Sequence, residues 1–337
     1  MNPTSTPPVP SAQHPRHSLR VGVMGCSRFA RKAMIPALQQ CGATELVCVS
    51  SRSMDKATAN AALFGCEAVF GYDALLERDD VDAIYMPLPT GLHEEWCVKA
   101  IRAGKHLLVE KSFADNYASA ERMLKLACEK NCLIFENFQF QTHSQWAEIK
   151  SYMNSGELGD VHLLRSTFGF PSLPKDNFRW KKELGGGALL DAGAYMAKVS
   201  QLLLGSDLEV LGASLTMDVE TGVELYGEAM FRNGAGQVAQ VAFGFDYFYQ
   251  CRVELLGTKG KLSTNRVFTA PPGFEPVLVI EKQDEVEEIK LPVDNHYVNM
   301  WSWFADEVRC GSFSKHWKIL LDQARLIEEI RRLGAGR

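Results

Sequence analysis

Apolar and polar residues along the first half of the chain repeat as a short apolar run followed by a longer amphipathic stretch. The run Leu19–Met24 precedes a stretch from about Arg28 to Gln40 whose spacing predicts a helix. The later runs predicted as strands are Glu45–Ser50, Val81–Met86, His106–Val109 and Leu133–Phe138. The later predicted helices are Met54–Phe64, Glu94–Ala103 and Tyr117–Lys130. This repetition predicts an α/β fold with a doubly wound parallel sheet and right-handed crossovers.

The pattern changes after about residue 155 to long alternating segments with hairpin signals. The predicted strands are Val161–Phe170, Val210–Asp218, Glu224–Phe231, Gln237–Asp246 and Arg252–Leu256, with turns at Asn233-Gly234 and Thr258–Gly260. They indicate an open, mostly antiparallel sheet. Helices are expected at about 187–204 and 297–333, the second broken near Gly311. Its apolar stripe, predicted to face the core, is Trp317, Leu320, Leu321, Ala324, Ile327 and Ile330.

Composition narrows the classes of protein to consider. The 337 residues are 46% hydrophobic and 23% charged, enough for a full core and about two domains. A net charge of -5 argues against nucleic acid as a partner. No apolar run is long enough to span a membrane, and the N-terminus lacks a signal-peptide pattern. We therefore expect a cytoplasmic protein, with residues 1–17, rich in proline, as a disordered tail.

The nine cysteines show no spacing typical of a disulfide framework or a zinc site. Most lie within apolar segments, so we expect reduced, buried thiols. Cys128 and Cys132 have no second Cys or His pair at a suitable distance along the chain. No metal site is predicted.

The turn after the first strand has the context of a dinucleotide-binding loop. It reads Gly25-Cys26-Ser27-Arg28-Phe29-Ala30. Gly25 would make the tight turn, Ser27 would stand where the backbone approaches the pyrophosphate, and Ala30 would allow close helix–sheet packing. Two of the three fingerprint glycines are replaced, so an ordinary strand-to-helix turn is the alternative.

The residues after the second strand bear on the choice of cofactor. A carboxylate there binds the ribose hydroxyls of NAD(H), whereas an arginine accommodates the 2′-phosphate of NADP(H). Ser51 and Arg52 stand at this place. The sequence therefore favours NADP(H), the alternative being that Arg52 is simply a solvated loop residue.

Candidate functional residues follow two further predicted strands. The loop of Pro87, Leu88, Pro89 and Thr90 follows one strand, with His93 just beyond. Glu110 and Lys111 end the next strand. In such sheets ligands bind at the carboxyl edge, so these residues are candidate cofactor contacts. The alternatives are a solvated His93 and a surface ion pair between Glu110 and Lys111.

The second half contains Gly185–Gly187 followed by Asp191 and Tyr195. If these two residues are helical, their four-residue separation places them on one face. A ligand cleft between the domains would give them partners. A buried structural Asp–Tyr pair is the equal alternative.

The order of these motifs resembles the glucose–fructose oxidoreductase and inositol dehydrogenase (Gfo/Idh/MocA) family from Leu19 onward. The resemblance implies a Rossmann domain at 18–140 and a second α+β domain at 141–337 for substrate binding and oligomerisation. Lys111 matches the signature lysine of the family, and Asp191 and Tyr195 match its Asp and its His-or-Tyr position. The tyrosine version is usual in the dihydrodiol dehydrogenase and sugar ketoreductase branches.

The resemblance also implies the chemistry. Lys111, Asp191 and Tyr195 are the expected catalytic residues of an NADP(H)-dependent oxidoreductase that interconverts a ketone and a secondary alcohol. Tyr195 would exchange the proton, with its pKa lowered by Lys111, while Asp191 would bind a sugar hydroxyl or orient Lys111. The substrate contacts expected are Gln139, Gln141, Arg179 and Tyr195.

The tract Gly257–Gly260 followed by Arg266–Pro272 looks like a segment of nucleotide-sugar 3-ketoreductases. It favours a nucleotide-linked 3-ketosugar. The alternatives are a free sugar, a cyclitol or a dihydrodiol, or a dinucleotide-sensing regulatory protein without turnover. Three positions depart from the family pattern: Ser112 and Ser144 replace prolines, and Gln141 replaces a common arginine. A homo-oligomer is expected from the open sheet.

Overall fold

The computed structural model describes residues 18–334, and the predicted tail at 1–17 lies outside the described residues. Its first sheet has six parallel strands in the order β3-β2-β1-β4-β5-β6. The strands are β1 (Leu19–Met24), β2 (Thr44–Ser51), β3 (Glu67–Phe70), β4 (Ala83–Met86), β5 (His106–Glu110) and β6 (Ile134–Asn137). The order is that of a doubly wound Rossmann sheet, as predicted. The short edge strand β3 was not predicted.

Helices cover both faces of this sheet. They are α1 (Ile35–Gln40), α2 (Met54–Phe64), α3 (Tyr72–Leu76), α4 (His93–Arg102) and α5 (Tyr117–Lys130). The first predicted helix is not α-helical throughout. Its residues Ala30–Met34 form a π-helical turn, and α1 follows directly. Pro36 lies within this continuous helical stretch and cannot donate a backbone hydrogen bond, so the hydrogen-bond ladder is interrupted just after the π-helical turn.

The second sheet has eight strands in the order β14-β13-β12-β11-β7-β10-β9-β8. They are β7 (Val161–Phe170), β8 (Leu208–Met217), β9 (Glu224–Asn233), β10 (Val238–Phe245), β11 (Gln250–Gly257), β12 (Lys261–Asn265), β13 (Val277–Lys282) and β14 (Glu285–Lys290). Every pairing is antiparallel except that of β7 with β10. The mostly antiparallel sheet is confirmed, although β12 to β14 were missed.

Four helices belong to the second half of the chain: α6 (Gln145–Ser155), α7 (Ala194–Leu204), α8 (His296–Cys310) and α9 (Ser314–Gly334). A π-helical turn, Leu189–Gly193, precedes α7. The predicted break near Gly311 is present, since this glycine ends α8 with a left-handed φ of 69°.

The last two helices return to the parallel sheet. Trp301 and Phe304 of α8 are buried in the core on one of its faces, and the Trp301 indole donates a hydrogen bond to Met34 O at 2.9 Å. Leu320 of α9 is buried in the core on the other face, while Ile327 and Ile330 pack into the core of the second sheet. Helix α9 therefore joins the two halves through one apolar stripe.

All nine cysteines lie within the described residues, and each is a free thiol. Five are buried, but Cys128 and Cys310 are exposed, so the expectation of burial was wrong for these two. No group of three His, Cys, Asp or Glu side chains at metal-binding distance occurs among residues 18–334. None of the helices in this part of the chain combines the length and apolar character needed to cross a bilayer.

Candidate active site

A cavity of about 800 Å³ lies between the carboxyl edge of the parallel sheet and the second sheet. The loops after β1, β4 and β5 form one wall, at the edge where doubly wound sheets bind ligands. The predicted site residues that line it are Ser27, Arg28, Phe29, Pro87, Leu88, Pro89, Thr90, Glu110, Lys111, Gln139, Arg179, Asp191 and Tyr195. The sequence motifs therefore converge on one space.

The loop after β1 is shaped by Gly25. Its φ of 113° is strained for other residues, and an added Cβ would lie 3.2 Å from Leu88 Cδ2. The Gly25 N–H donates to Ser50 O at 2.9 Å, which ties the loop to β2. Ser27 Oγ accepts a hydrogen bond from the Ala30 N–H at 3.0 Å. Ala30 is buried, so it packs the loop and does not line the cavity, as is also true of Gly25.

Cys26 and the end of β2 form the neighbouring part of this loop. Cys26 is half-buried, with its thiol 3.9 Å from Ser50 O. Ser51 is buried, and its hydroxyl accepts a hydrogen bond from the Ser53 N–H at 3.2 Å. Arg52, between them, is exposed. The structure thus presents a cation and no carboxylate directly after β2.

His93 has a different position from the one predicted. It is fully buried and neither solvated nor part of the cavity wall. Its Nε2 lies 2.9 Å from Leu88 O, and its Nδ1 lies 3.0 Å from Ser112 O and 3.1 Å from Phe113 O. Burial lowers the pKa of His93. As a neutral ring it joins the loop after β4 to the segment after β5.

Glu110 and Lys111 do not form the surface ion pair considered as an alternative. Glu110 Oε1 accepts hydrogen bonds from Tyr85 Oη at 2.6 Å and from Asn137 Nδ2 at 2.7 Å. Burial raises the pKa of Glu110, against the effect of these hydrogen bonds and of Lys111. The adjacent Lys111 side chain turns toward the second half of the chain.

Asp191 forms ion pairs with two cationic side chains, Lys111 and Arg179. Lys111 Nζ donates to Asp191 Oδ1 and, at 2.7 Å, to the Asp191 carbonyl oxygen. Arg179 donates through Nε to Oδ2 at 2.5 Å and through Nη2 to Oδ1 at 3.2 Å. Burial would raise the pKa of Asp191, but Arg179 and Lys111 hold it well below its usual range. Asp191 is therefore a carboxylate with both oxygens engaged by cations.

Ser112, which replaces the usual family proline, fastens this arrangement. Its buried hydroxyl donates to Leu190 O at 2.8 Å. The bond joins the end of β5 directly to the π-helical turn that carries Asp191. The departure from the family pattern thus adds a contact between the residue after Lys111 and the residue before Asp191.

Tyr195 begins the first turn of α7 and is 5% exposed. Its ring packs edge-to-face on Phe138 and Phe168 at centroid distances of 5.2 and 4.9 Å. Lys111 Nζ lies 4.9 Å from the ring centroid. Burial, followed by the charges of Glu110 and Asp191, raises the pKa of Tyr195 well above 10. The expectation that Lys111 lowers this pKa is wrong for these described side chains, because the effect of burial dominates.

Of the two glutamines predicted as substrate contacts, one lines the cavity and the other does not. Gln139 is 4% exposed and lines the cavity, and its Oε1 has no hydrogen-bond partner among the described residues. Gln141 lies outside the cavity wall, where its Nε2 donates to Phe138 O at 3.2 Å. The 3₁₀ turn Gln139–Thr142 explains the difference, since residues two apart on it point in different directions.

The sequence missed several wall residues from the second half. These are Phe168, Phe170, Leu173, Asn177, Phe178, Thr269 and Tyr297, together with Lys32. Phe168, Phe170, Leu173 and Phe178 are apolar, and they belong to no motif, as is also true of Asn177, Tyr297 and Lys32. Thr269 is the exception, because it lies in the tract Arg266–Pro272 that carried the resemblance to ketoreductases.

Two family models match this chain. One describes an oxidoreductase family with an NAD-binding Rossmann fold and matches residues 19–138. The other describes the C-terminal domain of the same GFO/IDH/MocA group and matches residues 146–263. The chain belongs to the GFO/IDH/MocA oxidoreductase family. This membership confirms the predicted family and the predicted oxidoreductase class.

Relatives within the GFO/IDH/MocA family span nearly the whole chain. A dTDP-3,4-didehydro-2,6-dideoxy-alpha-D-glucose 3-reductase from Saccharopolyspora spinosa is 39% identical over 330 residues, covering 95% of this chain and 99% of the relative. A 3-ketoreductase from Actinomadura kijaniata, crystallised with NADP and TDP-benzene, matches with a TM-score of 0.91 and 39% identity. That match covers 94% of this chain and 98% of the crystallised one. A trans-1,2-dihydrobenzene-1,2-diol dehydrogenase from Xenopus laevis is 30% identical over 184 residues, covering 53% and 54%.

Proposed function

We propose that this chain is an NADP(H)-dependent reductase of the 3-keto group of a dTDP-linked deoxysugar. The observation that carries the proposal is the cluster of Lys111, Asp191 and Tyr195 on the wall of the cavity. The chain is also 36 to 41% identical, over at least 93% of its length, to four reductases of this substrate class.

The cofactor side of the cavity suits an NADP(H) molecule. The loop at residues 25–30 and the loop at residues 87–90 would hold the pyrophosphate and the nicotinamide half, and Arg52 would hold the 2′-phosphate. The close contact that any Cβ at Gly25 would make with Leu88 shows that a glycine there lets these two loops lie side by side. When bound, NADP(H) supplies or accepts the hydride.

Reduction of a ketone also needs a proton at the carbonyl oxygen, and Tyr195 is the proposed donor. Its hydroxyl, whose pKa burial raises, is protonated at neutral pH, and the alkoxide forming on the sugar is a strong enough base to take that proton. Lys111 would stabilise negative charge developing on the same oxygen. Asp191, already engaged by Lys111 and Arg179, would orient the ammonium; this supports that role over binding a sugar hydroxyl.

Variants of the crystallised Actinomadura kijaniata relative support the same pair. Its solved structures include one with a tyrosine changed to phenylalanine and others with a lysine changed to alanine or glutamate. The two altered residues are as far apart along that chain as Lys111 and Tyr195 are along this one.

The substrate contacts proposed are Gln139, Arg179 and Tyr195, which line the cavity. The buried Gln139 Oε1, which has no hydrogen-bond partner among residues 18–334, could accept a hydrogen bond from a sugar hydroxyl. Phe168, Phe170 and Phe178 provide an apolar wall beside it. Such a mixture of apolar surface and few polar groups is typical of small-molecule sites.

The test is a thermal-shift titration with NADP(H) and NAD(H), followed by turnover of a panel of dTDP-linked and free sugars. We expect a tighter response to NADPH, reduction of a dTDP-linked 3-ketosugar, and inhibition by dTDP. A tighter response to NADH would reject the cofactor assignment. Turnover of free sugars without inhibition by dTDP would reject the nucleotide-linked substrate.

Oxidation of a free sugar is the second candidate. It is favoured by a D-xylose 1-dehydrogenase (NADP(+)) from Haloferax volcanii that is 30% identical over 254 residues, covering 74% of this chain. The catalytic cluster would serve either substrate, so the response to dTDP decides between them.

The open face of the second sheet is the proposed surface for self-association. A groove of about 520 Å³ crosses this face, and Leu211 and Met230 on it are 40% and 38% exposed. An oligomer would bury these apolar side chains. Light scattering with size-exclusion chromatography tests this, and Met230→Glu should shift the protein toward a monomer.

A further inference from the structure

Behind the cavity wall lies a buried ion pair that no motif predicted. Glu136 on β6 and Lys198 on α7 are 5% and 3% exposed, and Glu136 Oε2 is 3.9 Å from Lys198 Nζ. Burial raises the pKa of Glu136 and lowers that of Lys198, while each charge opposes the effect on the other. Neither residue lines the cavity.

Each member of the pair is closely connected to one half of the catalytic cluster. Glu136 Oε1 accepts a hydrogen bond from the Phe113 N–H at 2.8 Å, two residues beyond Lys111. Lys198 follows Tyr195 by three residues, so the two side chains lie about one helical turn apart on α7. The pair therefore joins the strand end that carries Lys111 to the helix that carries Tyr195.

The Phe138 ring contacts both Lys198 and Tyr195. Lys198 Nζ lies 5.3 Å from the centroid of the Phe138 ring, and the Tyr195 ring meets the same ring edge-to-face at 5.2 Å. A shift of Lys198 would therefore disturb the surface on which Tyr195 packs. In a close-packed core such a disturbance is transmitted to the neighbouring side chain.

This region holds charges of both signs. Its carboxylates are Glu110, Glu136 and Asp191, with Asp322 also acting on Lys198, and its cations are Lys111, Arg179 and Lys198. Removing one member of a buried pair leaves its partner uncompensated, which is far more costly than removing both.

We propose that Glu136 and Lys198 are positioning residues that hold Tyr195 against Lys111, an inference that rests on the proposed function. The pair acts from behind the aromatic wall and touches no reacting atom. It sets the distance between the proton donor and the ammonium through the two backbones that carry them. Small errors in such a distance are costly, because catalysis depends on alignment of the reacting groups.

The test uses Lys198→Met, Glu136→Gln and the double variant, with NADPH binding and steady-state kinetics measured on each folded protein. Glu136→Gln keeps an oxygen that can accept from Phe113, so it removes the charge alone. We expect kcat to fall about tenfold or more in each single variant, with KM and the Kd of NADPH within about twofold of wild type. The double variant should regain at least about fivefold over Lys198→Met.

Lys105→Met is the matched control. Lys105 is another buried lysine, bonded to Arg78 O at 2.6 Å and Val81 O at 2.8 Å before the amino end of β5, the strand that carries Glu110 at its other end. Its replacement should lower thermal stability while kcat per folded molecule stays within about twofold. If Lys198→Met or Glu136→Gln does not fold, Glu136→Asp serves in its place, since it keeps both charges and widens their gap by one methylene.

The inference is overturned if kcat per folded molecule stays within about twofold of wild type in these variants, or if the double variant is no faster than the slower single one. Failure of the wild-type protein to reduce any dTDP-linked ketosugar rejects the proposed function instead. The same comparison of variants is then made with the free sugar that the panel identifies. Absence of turnover on every substrate overturns both.

Discussion

The two sides of the cavity use positive charge in opposite ways. Around the loop after β1, Arg28, Lys32 and Arg52 are exposed, and none forms an ion pair with another residue of the range 18–334. Across the cavity, Lys111 and Arg179 are already paired with Asp191. The first side is suited to capture an anionic ligand, and the second is organised before any ligand arrives.

This difference predicts separate functional consequences. Exposed charges interact through solvent and are screened by salt, so they should govern cofactor affinity and its salt dependence. Charges in a drier, preorganised environment should govern the rate of the chemical step. Variants beside the loop after β1 should therefore change the Kd of the cofactor, and variants of the paired charges across the cavity should change kcat.

The largest effect is expected for Lys111→Met. It removes the cation that faces both Asp191 and the Tyr195 ring, and kcat should fall by about 1000-fold, as for other preorganised charge-stabilising groups. The Kd of NADPH, measured by fluorescence titration, should change by less than about threefold. Lys130→Met, at the exposed end of α5, is the control. If the Kd of NADPH rose by as large a factor as kcat fell, the two sides of the cavity would not act independently.

Tyr195→Phe should lower kcat by about 100-fold, the usual contribution of a positioned general acid. The ring, which packs on Phe138 and Phe168, is retained, so the thermal unfolding midpoint should stay close to that of wild type. Tyr152→Phe on α6 controls for loss of a hydroxyl. Undiminished turnover would remove Tyr195 from the proton transfer.

Arg52→Ser tests the opposite side. It should raise the Kd of NADPH about tenfold, since one charged hydrogen bond to phosphate contributes on the order of 1.5 kcal/mol, and leave NADH binding unchanged. In the wild-type protein, the difference in affinity between NADPH and NADH should shrink as the salt concentration increases. Arg102→Ser, at the exposed end of α4, is the control. Equal weakening of NADH binding would mean that Arg52 does not recognise the 2′-phosphate.

The smallest effect concerns the junction beside the cavity, where His296 precedes the wall residue Tyr297. Burial, and to a lesser extent His143, lowers the pKa of His296 to about 3, although Asp294 acts in the opposite direction. The native pKa lies below the unfolded value of about 6.5, so the unfolded chain takes up the proton first and stability falls as pH drops below that value.

Between about pH 7.5 and pH 5.5 this histidine should cost about 1.4 kcal/mol of unfolding free energy. Urea denaturation at the two pH values measures the loss, which His296→Gln should reduce. His162→Gln, an exposed histidine, should leave the loss unchanged. A wild-type protein equally stable at both values would contradict the buried, neutral state of His296.

The sequence predicted features that depend on local patterns. Strand β7 was placed with its full bounds, and the loop at Gly25 was recognised despite its missing glycines, because apolar periodicity and turn chemistry are local. Lys111 was identified because it follows a strand at the edge where ligands bind and matches the signature lysine of the family. Its pairing with Asp191 follows from tertiary packing, and no spacing in the sequence indicates it.

The errors have the same origin. His93 was assigned to the site by its closeness to the loop at residues 87–90, and Gln141 by its place in a stretch that resembles the family. Both side chains instead contact backbone carbonyl oxygens. The Glu136–Lys198 pair escaped notice because its members are 62 residues apart, from Glu136 to Lys198, and neither belongs to a motif. Buried charges are identified by what surrounds them, which only the folded chain reveals.

The return of α8 and α9 to the parallel sheet limits how the chain can be divided. Trp301, Phe304 and Leu320 complete cores on both faces of a sheet whose strands end at residue 137. A fragment ending near residue 140 would expose those faces to water and should aggregate. An exchange of nucleotide-binding halves between relatives would therefore have to carry the final two helices with it, so this part of the protein is inherited as two distant stretches of one chain.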